Sequence, residues 1–347
     1  MYISVRDFVK NLEDLPPSSS EELAIRAPQR SSGRKRARGS RQMLSTLLSA
    51  TNRALQLVSY SYVTVLGVLF IFQRNLQYFP FGGEPPCASA ISSLCPGLRD
   101  FKVRTIDGYW LKGWLWEEDS SSTIILHLHG NAGSRFHRLH WAKEIRNKLK
   151  CSVALFDYRG FGGNPGSISE AGLIKDAIAA ITWAHAEVRR TGQKLVLHLE
   201  SIGSAAGLNA LANISTHIRV DGIIVEGGLS SCYELARDML PFFPIKILMR
   251  DKWDRTLDSA RVLPEHTHFL SLHGKLDKIV PLEKGLKLFA AVACRDKKFV
   301  EFEHGDHNDL MIQPCYFEEL QTFYSKIQQQ HVASFKMDRS ESCVTAN

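Results

Sequence analysis

From about residue 100 onward, short β-branched apolar runs alternate with longer stretches whose apolar positions repeat every three to four residues. Runs over 101–106 and 109–116 flank Asp107-Gly108, a pair suited to a tight hairpin turn. The pattern then predicts strands over 123–128, 151–156, 195–199, 222–225, 267–272 and 299–302. Between and after them it predicts helices over 135–149, 171–189, 201–211, 282–291 and 310–329. Strands separated by helices imply an α/β fold, with a mostly parallel central sheet covered on both faces. In such sheets ligands bind beyond the carboxyl ends of the strands, so the loops that follow strands should carry the chemistry.

A different pattern precedes this region. Residues 54–72 hold no charge, and only Gln56, Ser59, Ser61 and Thr64 are polar among them. At 1.5 Å per residue the stretch covers about 28 Å, close to the hydrocarbon thickness of a bilayer. It is expected to be one transmembrane helix. A buried core helix and an amphipathic helix lying on the membrane are the competing readings. It starts too far from the N-terminus, and lacks the small-residue cleavage site, to be a signal peptide.

Charge then gives a direction. The net charge is +7, and residues 1–53 hold 10 Lys/Arg against 5 Asp/Glu. Arg34, Lys35, Arg36, Arg38, Arg41 and Arg53 precede the apolar stretch, while Arg74 follows it. The excess of cations predicts a cytoplasmic N-terminus and a body on the lumenal or extracellular side of the endoplasmic reticulum or plasma membrane. The expected organisation is a basic, disordered tail over 1–53, the membrane helix over 54–72 and an interfacial linker over 73–99. The α/β domain follows over 100–330, and a disordered tail over 331–347. Tyr78 and Phe79 are expected at headgroup depth. A basic run can also bind nucleic acid or direct nuclear import, which keeps a soluble nuclear protein as a rival reading. The composition, 44% hydrophobic and 23% charged, excludes a disordered chain and a disulfide-dense scaffold. No Cys-x-x-Cys occurs, so a zinc ribbon has no support, and no metal or cofactor is expected.

Three strand ends supply a nucleophile, an acid and a base, in that order. The run ending at Leu199 leads into Glu200-Ser201-Ile202-Gly203, the next-to-last strand into Lys275-Leu276-Asp277, and the last into Gly305-Asp306-His307. A serine hydroxyl attacks only when a base removes its proton, and an imidazole does so best when a carboxylate fixes its tautomer. Ser201 on a strand-to-helix elbow is the candidate nucleophile, with His307 as base and Asp277 as its orienting acid. An oxyanion would be held by the N–H groups of Ile202 and of Asn131, which follows His129-Gly130 after the 123–128 strand.

These segments resemble those of the α/β-hydrolase fold. Within it they are similar to the membrane-anchored, single-pass bud-emergence-type hydrolases and their animal relatives of the α/β-hydrolase-domain-containing protein 13 type. The matching segments are Asn75-Leu-Gln-Tyr-Phe-Pro80, His129-Gly-Asn-Ala-Gly133, Asp157-Tyr-Arg-Gly-Phe-Gly162, Glu200-Ser-Ile-Gly203, Asp277-Lys-Ile-Val-Pro281 and Gly305-Asp-His-Asn-Asp309. The resemblance covers about residues 54–330. It implies a serine hydrolase of carboxylic esters or thioesters, with lysophospholipid, acylglycerol or acylated-protein substrates drawn from the membrane and no nucleic acid. Leu199 departs from it, because the elbow usually has Gly there. Treated as overpacking, this costs about 1–3 kcal/mol and leaves a catalytically inactive scaffold as the alternative.

Other residues have two readings. Glu226 follows a strand and could be the acid, but a supporting role suits it better. His129 could be catalytic but is expected to shape the oxyanion loop, Asp157, Tyr158 and Arg159 to brace it, and Asn308 and Asp309 to cap the last helix rather than catalyse. Arg159 could instead bind a substrate phosphate. Residues 240–249 lie where lids are inserted and are expected to receive an acyl chain, to dip into the bilayer, or to form an ordinary core-facing helix. In a lumenal body Asn213-Ile-Ser215 would be a glycosylation acceptor, and Cys87 could pair with Cys95.

Overall fold

The computed structural model describes residues 33–329, with side chains from Arg41 onward. The expectations for residues 1–32 and 331–347 lie outside the described residues. The first element is a single helix, α1 (Gly33–Gln77). It starts well before Ala54, so much of the expected tail is helical. Residues 41–53 explain this locally. Eight of the 13 are Leu, Arg, Met, Gln or Ala, which favour helix, while the Ser45, Thr46 and Thr51 hydroxyls are accommodated by bonding back to carbonyls three or four residues earlier. Leu47, Leu55, Leu57, Val58 and Val63 are all exposed. The helix is long and apolar enough to cross a membrane.

The chain divides into two compact units between Thr64 and Val65, so residues 65–77 of α1 belong to the second unit. That unit is built on an eight-stranded sheet with the order β1-β2-β4-β3-β5-β6-β7-β8. The hairpin β1 (Leu98–Arg104) and β2 (Trp110–Trp116) is antiparallel, and β2 runs antiparallel to β4 (Ser152–Phe156). The remaining pairings are parallel, through β3 (Thr123–Leu128), β5 (Lys194–Glu200), β6 (Gly222–Glu226), β7 (His268–Gly274) and β8 (Lys297–Phe302).

Alternation along each central strand feeds two cores. Ile124, Leu126 and Leu128 of β3 face one cluster and Ile125 the other; Leu195, Leu197 and Leu199 of β5 face the first and Val196 the second. The first core is closed by α3 (Glu170–Thr191), α4 (Ile202–Ile214), α7 (Thr256–Arg261) and α8 (Leu282–Ala291). The second is closed by α2 (Leu139–Leu149) and by α9 (316–329). Two short helices, α5 (Cys232–Met239) and α6 (Ile245–Leu248), lie between β6 and α7 where the lid was expected.

Two expectations are corrected here. Tyr78 is not at an interface: it is 3% exposed, in the first core, and its hydroxyl accepts a hydrogen bond from Trp253 Nε1 at 3.2 Å. Phe79 is held by a parallel bridge to Ala132. The chain leaving α1 therefore buries itself in the domain, because its aromatic ring and its peptide groups both find partners there. Cys87 and Cys95 do not pair: all six described cysteines are free thiols, with Cys87 against Ser89 and Cys95 buried in the second core.

Candidate active site

Ser201 sits between β5 and α4 with φ 53° and ψ −117°. A non-glycine residue there carries strain of about 1–3 kcal/mol, and the surroundings hold it in place. The Ser201 N–H donates to Glu226 O from β6 at 2.8 Å, and Ser204 Oγ donates to Ser201 O at 2.6 Å. The result is the sharp elbow that sequence spacing implied.

Leu199, one residue before Glu200, is fully buried in the first core. The expected overpacking is relieved from α4. A Cβ on Gly207 would lie 2.6 Å from Leu199 Cδ2, so the missing side chain of Gly207 makes the space that Leu199 fills. The departure from the usual elbow is thus compensated within the same strand–helix pair, and the feature that favoured an inactive scaffold loses its steric basis.

Asp277 and His307 come from the loops after β7 and β8. Ser201 Oγ lies 3.0 Å from His307 Nε2, and His307 Nδ1 lies 2.6 Å from Asp277 Oδ2. A carboxylate only accepts, so Nδ1 carries the proton and Nε2 is left to accept from the serine. The other carboxylate oxygen of Asp277 accepts from the N–H groups of Ile279 (2.9 Å) and Val280 (2.7 Å). The Asp277 side chain is fully buried. Buried His273 supports the same loop by donating from Nε2 to Val280 O at 2.8 Å. Gly227 gives the imidazole its room, since a Cβ there would meet His307 Cε1 at 2.9 Å. Asp309 does not cap a helix with its side chain; it accepts from the Asp306 N–H at 2.7 Å and closes the loop that carries His307. Asn308 is exposed beside it.

The loop after β3 completes the surroundings. Asn131 and Ile202 line the same cavity as Ser201. Asn131 is pinned twice by the chain that leaves α1. Its side-chain amide donates to Gln77 O at 3.0 Å, and its carbonyl accepts from the Phe79 N–H at 2.8 Å. His129 is fully buried and donates from Nδ1 to Gly130 O at 2.7 Å, and burial pushes its pKa down to about 4. It is a neutral brace of this loop. Asp157 holds Arg135 beneath it. Arg159 is saturated by Asp176 and Asp107, so it has no fork left for a phosphate. The Glu226 carboxylate bonds His198 and Tyr316, while His307 is held by Asp277, so Glu226 is a supporting residue. Burial would raise the pKa of Glu200, but the Arg138 guanidinium overrides it and keeps the carboxylate ionised.

A cavity of about 280 Å³ opens from Ser201. Its lining is largely apolar: beside loop residues such as Ile279 and Val280, it includes Leu69, Phe70 and Leu76 of α1, Leu235 and Met239 of α5, and Ile245 and Leu248 of α6. The lid expectation for 240–249 and the first helix thus meet at one pocket.

No family model matches the chain. A Saccharomyces cerevisiae protein described as an uncharacterized membrane protein is 32% identical over 226 residues, covering 63% of this chain and 76% of its own length. The protein bem46 of Schizosaccharomyces pombe is 28% identical over 269 residues, covering 75% and 88%. The chain belongs to the bem46-type α/β-hydrolases. The fold agrees: an esterase of Pyrococcus furiosus superposes with a TM-score of 0.57 over 72% of this chain and 97% of its own, at 14% identity. Compared with the sequence reading, this bem46-type chain adds His273, Gly207 and Gly227, and the α1 exit at Gln77–Phe79. Only Asn75–Pro80 had shown itself as a motif. The others are single residues: His273 and Gly207 meet partners seven and eight positions away, and Gly227 meets His307 from a distant loop, so none of them forms a motif.

Proposed function

We propose that the protein is a membrane-anchored serine hydrolase of carboxylic esters or thioesters. The observation that carries this reading is the unbroken relay from Ser201 Oγ through His307 to Asp277, at 3.0 and 2.6 Å, at the mouth of an apolar cavity. Ser201 attacks the acyl carbonyl while His307 takes its proton. Asp277 holds the imidazole in the required tautomer and stabilises its charged form. The N–H groups of Ile202 and Asn131 receive the oxyanion, each worth about 2.7–4 kcal/mol. Ile202 opens α4, where backbone N–H groups have no intrahelical acceptor. The proton then passes from His307 to the departing alcohol or thiol. Water, activated by the same imidazole, releases the acid. The apolar cavity suits a fatty acyl group of a lysophospholipid, an acylglycerol or an acylated protein.

A fluorophosphonate probe applied to full-length protein in membranes tests this. Wild type should label, and Ser201→Ala should not label and should lose at least about 10³-fold in kcat. Absence of labelling in folded wild type would overturn the reading. The flanking charges support a lumenal or extracellular domain. Asn213, exposed in the last turn of α4, is then an accessible glycan acceptor. An endoglycosidase-sensitive mass shift that disappears in Asn213→Gln is the expected result; an acceptor shown to face the cytosol would reverse the assigned orientation.

A further inference from the structure

We infer that the substrate is an acyl chain resident in the bilayer, and that it lies along α1 when bound. This deepens, and rests on, the hydrolase reading above. The cavity that starts at Ser201 follows α1 from Gln77 back through Gln73 to Phe70 and Leu69. Eight helical residues correspond to about 12 Å. Leu69 and Phe70 fall inside the uncharged stretch 54–72, which is long enough to span the hydrocarbon layer. The far end of the pocket is therefore walled by the same segment that faces lipid, and a chain seated there keeps its apolar tail at bilayer depth. An ester with a short acyl group leaves that end empty.

Two further observations fit this geometry. The lid across the cavity presents apolar side chains outward, with Phe242 86% and Ile247 82% exposed. Arg250 stacks on Phe70 with its guanidinium carbon 4.3 Å from the ring centroid, a cation at the edge of the apolar wall. The helix end is also fixed to the reaction centre. Arg74 binds Asp251, Gln73 donates to Leu248 O and accepts from the Arg250 N–H, and Gln77 O holds Asn131. The wall that reads the acyl chain and the loop that would hold the oxyanion thus share one frame, so a chain aligned with α1 is delivered in register with Ser201.

The test uses full-length protein in phosphatidylcholine nanodiscs, with 4-nitrophenyl palmitate and butyrate as substrates. In Leu69→Trp the indole fills the far end, and the palmitate-to-butyrate ratio of kcat/KM should fall about tenfold or more, the scale set by losing several methylene contacts. Leu69→Phe should shift it in the same direction by less. Phe72→Trp, on the exposed face outside the cavity, should keep the wild-type ratio. Should both Leu69 variants retain the wild-type ratio while the probe still labels Ser201, the inference falls and the hydrolase reading stands. Should wild type neither label nor hydrolyse either ester, both fall together.

Discussion

The two stretches of α1, before Val65 and after it, are both apolar and behave differently. Up to Thr64 the helix leaves Leu55, Leu57, Val58 and Val63 exposed, and hydroxyls such as Thr64 Oγ1 bond back one turn, here to Tyr60 O. After Val65 the helix carries Gln73, Arg74 and Gln77 on one side. These reach partners about 175 positions away, at Leu248, Arg250 and Asp251. The first stretch suits a lipid surround, because its exposed side chains are mostly apolar and its backbone is part of one continuous helix. The second is a wall of the cavity. Apolar content does not separate the two roles; what separates them is whether polar side chains with long reach find groups of the domain to bind.

The sharpest way to break this comparison is to shorten one tyrosine in the first stretch and one in the chain that leaves the second. Tyr78→Ala removes a ring that is 3% exposed, together with the hydrogen bond from Trp253, and should cost about 3–5 kcal/mol of domain stability. Tyr60→Ala, at a site 69% exposed, should change it by less than about 0.5 kcal/mol. Thermal unfolding of both variants in the same detergent decides; equal effects would mean that the anchoring of the α1 exit in the domain has no energetic counterpart. A smaller effect separates two arginines. Arg74→Ala leaves the Asp251 carboxylate, 5% exposed, without its partner and should cost about 1–2 kcal/mol, because Arg74 is itself 38% exposed and screening weakens the pair. Arg53→Ala should be close to neutral in the same melt. If Arg74→Ala is also neutral, the ion pair between α1 and Asp251 contributes no stability.

Much of the fold was legible because its signals are local. The 123–128 and 282–291 elements match β3 and α8 in both bounds, since a run of β-branched residues or a helical period is written within a few residues. The meeting of Ser201, His307 and Asp277 was legible for a related reason. Each member follows a strand end, and parallel strands gather their carboxyl ends at one edge. The extension of α1 back to Gly33 was not legible, because the many charges there masked good helix formers. Tyr78 was misread because a tyrosine after an apolar stretch has the same sequence signature whether it meets headgroups or Trp253. Cys87 and Cys95 were misread because closeness in sequence does not bring two thiols together when Cys95 points into a core. Leu199 looked like a defect until Gly207, eight positions later and one layer away, supplied its space.

The sequence by itself determined the strands of the sheet and the longer helices that cover it, the order in which Ser201, Asp277 and His307 follow strand ends, and the presence of one apolar segment long enough to cross a bilayer. These follow from short-range periodicity and from residue chemistry, which need no knowledge of distant neighbours. Only the tertiary structure decided that the end of that segment walls the pocket, that Gln77 and Phe79 hold the Asn131 loop, and that Gly207 makes room for Leu199. Each of these depends on contacts between residues brought together by the whole sheet, and side-chain packing at such contacts has no signature in the local pattern of either partner.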